Sequence, residues 1–284
     1  ELNGLTSLQT LDLTLCSMLT TIPELKGLTK LQTLELSSCS KLTTIPELAE
    51  LTSLQTLDIT NCSMLTTLPE LKGLTKLQTL DLSSCSKLMT IPELNGLTSL
   101  QSLDLSSCHY LATIPKLTGL TRLQTLNLSG CDVLATIPEL TELTRLRTLD
   151  LSYCFQLTTI PDVAGLTNLQ TLDLSGSFRL TTIPELNGLT RLQTLNLAGC
   201  RMLTVLRLGA GLEKLQAIDA VECSELVEIV VSHELPSLQK FFVRGVPEPA
   251  VRSLRVPFRG KQVDVKTDVS DAMNFIDDIR EKGE

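Results

Sequence analysis

Tryptophan is absent from this sequence, and aromatic residues of every kind make up only 3% of it. Most of the chain therefore lacks the large aromatic anchors on which recognition surfaces are commonly built. Positive charge is short as well. Lys and Arg number 24 against 32 Asp and Glu, for a formal net charge of -8. That balance argues against the basic face that nucleic acid requires. No apolar run reaches the ~18 residues of a membrane-spanning helix. No cationic start leads into an apolar stretch of the signal-peptide kind. The expectation is a chain of 284 residues that neither binds nucleic acid nor enters a membrane.

The motifs of catalysis are missing too. There is no GxxxxGK[ST] phosphate loop, and no GxGxxG between a strand and a helix. HExxH and the GxSxG elbow are also absent. The two histidines, His109 and His233, lie far apart and join no nucleophile–base constellation. Carboxylates are plentiful, but they recur at regular intervals, so no pair stands out as acid and base. The expectation is a non-enzyme with no cofactor.

What the sequence does contain is repetition. Residues 1–23 read ELNGLTSLQTLDLTLCSMLTTIP, and residues 24–46 read ELKGLTKLQTLELSSCSKLTTIP. The frame returns at Glu47, Glu70, Glu93, Lys116, Glu139, Asp162 and Glu185 without insertion or deletion. A decayed tenth copy covers residues 208–230, and half of an eleventh covers 231–246. Repeats one and three are nearly identical, as are two and four, which marks a recent duplication of a two-repeat unit. Within a repeat, Leu11 and Leu13 alternate with Thr10, Asp12 and Thr14, the period of a half-buried strand. Pro23 and its equivalents fix φ where the chain turns back. One such unit cannot bury its leucines, but a stack can, so the repeat predicts a solenoid with a parallel sheet along one side.

Read down the stack, the repeat becomes columns. All nine cysteines fall in one column, which only Ser177 interrupts. Thiols one per rung, in odd number and without convergent His, fit neither a disulfide framework nor a metal site. They predict a buried ladder of free thiols in a reducing compartment, and the sequons at Asn61 and Asn127 are then accidental. On the strand's other face a Thr column (Thr10 to Thr194) and a Ser/Thr column (Thr14 to Ser175) flank an acidic one. The acidic column includes Asp58, Asp81, Asp104, Asp150 and Asp173. Two readings are open for it: a docking face for a basic protein surface, or a solvated face copied by duplication.

The residues around the Cys column diverge in later repeats. His109, Tyr110, Tyr153, Phe155, Phe178 and Arg179 gather much of the aromatic content along one lateral edge. This is anchor-type composition, set against neutral drift at exposed positions. Further unbroken Thr columns, such as Thr6 to Thr190, resemble the flat faces of ice-binding solenoids. The neighbouring acids and lysines oppose that reading.

The pattern LxxLxxLxLxxCxxLxxIP resembles the leucine-rich repeat family over about residues 1–246. It is most similar to the cysteine-containing leucine-rich repeats of plant intracellular (NB-LRR type) immune receptors. The resemblance implies an α/β solenoid: a horseshoe or arc of about ten repeats. Its parallel β-sheet lies on the concave side, with loops or short 3-10 turns on the convex side. It implies a cytoplasmic, non-catalytic scaffold for a protein partner, serving as the sensing or autoinhibitory region of a larger defence receptor. Contact with domains upstream belongs to that expectation, since Leu2 is already in repeat phase with no polar cap before it. The alternatives are a free-standing adaptor, for example in ubiquitin-ligase substrate recruitment, and a passive structural or ice-binding solenoid.

Residues 247–284 read as a C-terminal cap. Pro247, Pro249 and Pro257 stop the repeat, and residues 262–266 alternate as a short strand. Ser270 is placed to cap a helix through Arg280, with Ala272, Phe275, Ile276 and Ile279 on one face.

Overall fold

The computed structural model describes residue 2, residues 4–253 and residues 264–266. The helix expected over 270–280 lies outside them. The chain divides into two compact units, Glu1–Leu143 and Thr144–Glu284.

In unit 1 each repeat contributes a three-residue strand. These are β1 (Thr10–Asp12), β2 (Thr33–Glu35), β3 (Thr56–Asp58), β4 (Thr79–Asp81), β5 (Ser102–Asp104) and β6 (Thr125–Asn127). Neighbours pair in parallel, and each residue sits opposite its repeat equivalent, as in Thr56↔Thr79, Leu57↔Leu80 and Asp58↔Asp81. The constant period forces this register, because a shift of one residue would turn every leucine to the other face. Leu34, Leu57, Leu80, Leu103 and Leu126 point into a core that also takes the outer leucines of each repeat. A buried leucine contributes roughly 1.5–3 kcal/mol, so the stack is held by repetition of one term.

The return path is a chain of separate turns. Leu28 N–H donates to the Leu25 carbonyl and Leu31 N–H to that of Leu28, and the other repeats have equivalents. Bonds made at every third residue close turns without winding a helix. No 3-10 helix forms among the described residues. At several of these turns a glycine takes a positive φ, such as Gly27 at 83°.

Unit 2 continues the same design and then departs from it. Its strands are β7 (Thr148–Asp150), β8 (Thr171–Asp173), β9 (Thr194–Asn196), β10 (Val205–Leu208), β11 (Ala217–Asp219), β12 (Glu228–Val231), β13 (Lys240–Phe242) and β14 (Asp264–Lys266). β7, β8, β9, β11, β13 and β14 form one parallel sheet, with Asn196↔Asp219, Asp219↔Phe242 and Phe242↔Lys266 in register. The strand expected within 262–266 is therefore a further rung. β10 and β12 pair with each other in a second parallel sheet. Its cause is a lost proline. Earlier repeats carry Pro at this point, which has no N–H for a ladder, whereas Arg207 and Val230 replace it here. A short helix, α1 (Glu248–Ser253), packs on β12.

Candidate functional site

The Cys column forms a hydrogen-bonded spine. In unit 1 the Cys39 thiol donates to the Leu13 carbonyl at 3.2 Å, Cys62 to Leu36 at 3.3 Å, Cys85 to Ile59 at 3.1 Å and Cys108 to Leu82 at 3.3 Å. In unit 2 Cys200 and Cys223 do the same toward Leu174 and Leu197. Ser177 keeps the pattern with an Oγ–H bond of 2.9 Å to the Leu151 carbonyl. All nine thiols are free, and only Cys16 is exposed. Burial pushes the thiols of Cys62, Cys85, Cys131 and Cys223 up to about 12, so they stay protonated and unreactive. This column is structural. Among the described residues no group of His, Cys, Asp or Glu is placed to hold a metal ion.

The acidic column lies on the sheet face turned away from the leucines, and its first role is local. Asp58 Oδ1 accepts the Thr60 N–H at 2.8 Å, Asp81 that of Ser83 at 2.9 Å and Asp104 that of Ser106 at 2.8 Å. Asp150 and Asp173 accept from Ser152 and Ser175, each at 2.9 Å. A short side chain bonding the N–H two residues on is an Asx turn, and it ends each strand that closes on Asp or Asn among these. This explains why Asp and Asn interchange in the column, since Asn127 and Asn196 make the same bond. The two amides also relieve like-charge repulsion along the row. Asn127 Nδ2 donates to Asp104 Oδ2 at 2.9 Å, and Asn196 Nδ2 to Asp173 Oδ2 at 3.1 Å. Glu35 is one carbon longer, and its carboxyl titrates above the usual range. Desolvation is the main cause, followed by the charges of Asp58 and Asp12.

The two units differ in how open this face is. In unit 1 Asp58, Asp81 and Asp104 are half-buried, as are the threonines and serines beside them. In unit 2 Asp150 is half-buried, but Asp173 and Asp219 are each only 3% exposed, and Thr171 and Thr194 are buried with them. The aspartates expected to meet a partner are thus accessible at Asp58, Asp81, Asp104 and Asp150, and enclosed at Asp173. Burial pushes the Asp219 carboxyl up to about 6, against the pull of its Val221 N–H bond.

The lateral edge also falls into two parts. In unit 1 His109 Nδ1 lies 3.0 Å from Asp132 Oδ2, and Tyr110 is exposed. In unit 2 Phe155 stacks on Phe178 with ring centroids 5.1 Å apart, and Tyr153 meets Phe155 edge-on at 6.4 Å. The Arg179 guanidinium bonds the side-chain oxygen of Gln156. Tyr153 is 54% exposed and has a φ of 56°, in a column of left-handed residues that includes Ser84, Ser107 and Gly130. A side chain at Gly176 would strike the Tyr153 ring at 2.5 Å, so the missing Cβ makes the slot in which that ring lies. An exposed tyrosine set against two stacked phenylalanine rings marks this cluster as a candidate contact.

A family model described as Leucine Rich repeats (2 copies) matches residues 6–50, 29–73, 52–96, 75–119, 121–166, 144–188 and 167–206. No curated protein matches the chain. No described helix is long and apolar enough to cross a membrane.

Proposed function

This chain belongs to the leucine-rich repeat family, and from that premise we propose that it works as a non-catalytic scaffold for protein–protein interaction. The acidic face of unit 1 carries the reading. Asp58, Asp81 and Asp104 stand in register on neighbouring strands, ~4.8 Å apart, and remain half-exposed. Each turns one oxygen, Oδ1, to its own strand end. The row of carboxylates suits a partner with a basic surface, which complementary charge would attract and orient. The Tyr153–Phe155–Phe178 cluster of unit 2 is a second contact, favoured by the exposed rings of Tyr153 and Phe178.

Within the family, the reading that fits the Cys column and the Leu/Ile-Pro closure is a cytoplasmic immune receptor of the plant type. This region would act there as its sensing or autoinhibitory part. The free-standing adaptor is the alternative. The deciding observation is the coding sequence upstream of Glu1. A nucleotide-switch domain there supports the receptor, and a start codon directly before the repeats overturns it.

The binding surface is tested separately. The double variant Asp81→Lys/Asp104→Lys is expected to lose a partner that the wild type retains, with a steep dependence on salt. Unchanged retention would move the site off the sheet. Loss of the partner in Tyr153→Ser/Phe155→Ser/Phe178→Ser would place it on the lateral edge instead.

A further inference from the structure

We propose that a cleft beside β10 in unit 2 binds a small zwitterionic amino acid, with its carboxylate on Arg207 and its ammonium on Glu185. This small-molecule site does not depend on the protein-partner reading.

The cleft exists because the repeat slips by one residue. Pro184, Glu185 and Leu186 follow the common pattern, with Glu185 exposed and Leu186 buried. One repeat later the same positions are Arg207, Leu208 and Gly209. There Leu208 turns into the core and is 1% exposed. The column that carries leucine elsewhere thus has no side chain at Gly209, and in the following repeat it carries Ser232. The space left is a cleft of about 240 Å³. Drug-sized sites begin at ~300 Å³, so this one suits a single small molecule. A Cβ on Gly209 would coincide with Asn187 Oδ1, so the glycine is what admits Asn187 to the cleft.

The lining carries charge of both signs, held apart. Arg207 and Glu185 both line the cleft and are exposed. Among the described residues no ion pair joins them. Glu185 is positioned by Asn187, whose Nδ2 donates to Oε2 at 2.7 Å. The other carboxylate oxygen is left for a ligand. His233 adds an acceptor. The Ser232 hydroxyl donates to the Leu208 carbonyl at 3.3 Å, so its oxygen accepts the Nδ1–H of His233 at 3.1 Å. The neutral ring then offers the lone pair of Nε2.

This arrangement selects the class of ligand. A simple anion would meet Glu185 as a like charge, and a simple amine would meet Arg207 in the same way. A molecule with both groups on one short skeleton satisfies both. The planar guanidinium matches a carboxylate. An ammonium has three donors to share between Glu185 and His233. Ala210 and Val230 complete the lining with an apolar wall for a short aliphatic side chain.

The chain has two histidines, so its imidazole NMR signals provide both the probe and the control. The full chain is titrated with L-valine. The His233 signals are expected to shift and saturate, while those of His109 in unit 1 stay in place. Isovalerate, which lacks the ammonium, and isobutylamine, which lacks the carboxylate, should each bind at least about tenfold more weakly. Arg207→Gln and Glu185→Gln change exposed side chains and should each weaken L-valine by at least about tenfold. Unmoved His109 signals report the fold in both variants. A His233 ring that does not respond up to about 10 mM L-valine would overturn the proposal. So would equal shifts in both histidines, isovalerate binding as well as L-valine, or wild-type affinity in either variant.

Discussion

Units 1 and 2 are built from one repeat and each has the same kind of leucine core, but they present different faces. In unit 1 the Thr, Asp and Ser columns stay half-open from β2 to β6. In unit 2 Thr171, Asp173, Thr194, Asp219 and Phe242 of the same columns are buried, while Ser175 and Asn196 stay half-buried. The inward leucines hardly change between the units, whereas the outward residues do. Stability and surface are thus set by separate positions of the repeat, and one can vary while the other holds.

The largest effect should be common to both units. Leu80→Ala in unit 1 and Leu172→Ala in unit 2 remove fully buried side chains from the same column. Each is expected to cost about 2–5 kcal/mol in denaturant titration. Losses that differ by more than about half of that range would break the claim that the two cores are alike. The next effect should belong to unit 2. Asp219 titrates at about 6 instead of its ordinary 3.8 because it is buried. A carboxyl raised in the folded state contributes its full stability below pH 3.8 and loses it as pH rises through about 6. Asp219→Asn keeps the turn bond, as Asn127 and Asn196 do. It should match the wild type near pH 4 and exceed it by about 2–3 kcal/mol at pH 8. A constant difference across that range would mean that Asp219 is not the titrating group. The smallest effect concerns the left-handed column. Ser84 sits at φ 60° and Gly199 at 74°, where an added Cβ would meet only ordinary contacts, the nearest at 3.5 Å. Ser84→Gly should raise stability and Gly199→Ser should lower it, each by about 1 kcal/mol in thermal unfolding. Shifts of the same sign would show that the column does not act alike in both units.

Much of the scaffold was legible in the sequence, because a constant period fixes which residues become neighbours. The strands, the buried leucines and the free Cys ladder all follow from it. Two further features had signals that composition alone does not reveal. The β10–β12 sheet is announced by Arg207 and Val230 at positions where the other repeats carry Pro, and the restored N–H is what permits pairing. The Asx turns are announced by a short acid or amide two residues before each strand-ending N–H, which explains Asp58 and Asn127 alike. The closure over Asp173 and Asp219 could not be read from their own column, whose acids look alike in both units. It shows in the neighbouring substitutions Ala217, Val221 and Phe242. The aromatic edge was visible as composition, but the stacking of Phe155 on Phe178, and the slot that Gly176 leaves for Tyr153, required coordinates.

The spine of thiols has a consequence for how such a chain can change over generations. The bonded ladder side chains reach the rung immediately before them, as Cys62 does to Leu36 and Cys85 to Ile59. A copying error that inserts or deletes one whole repeat therefore leaves every thiol opposite a carbonyl and every leucine opposite a leucine. An error of a single residue would turn the leucines out and the acids in. Copy number is thus the variable that slippage can alter without loss of the fold, and the near-identity of the first and third repeats is the trace of such an event.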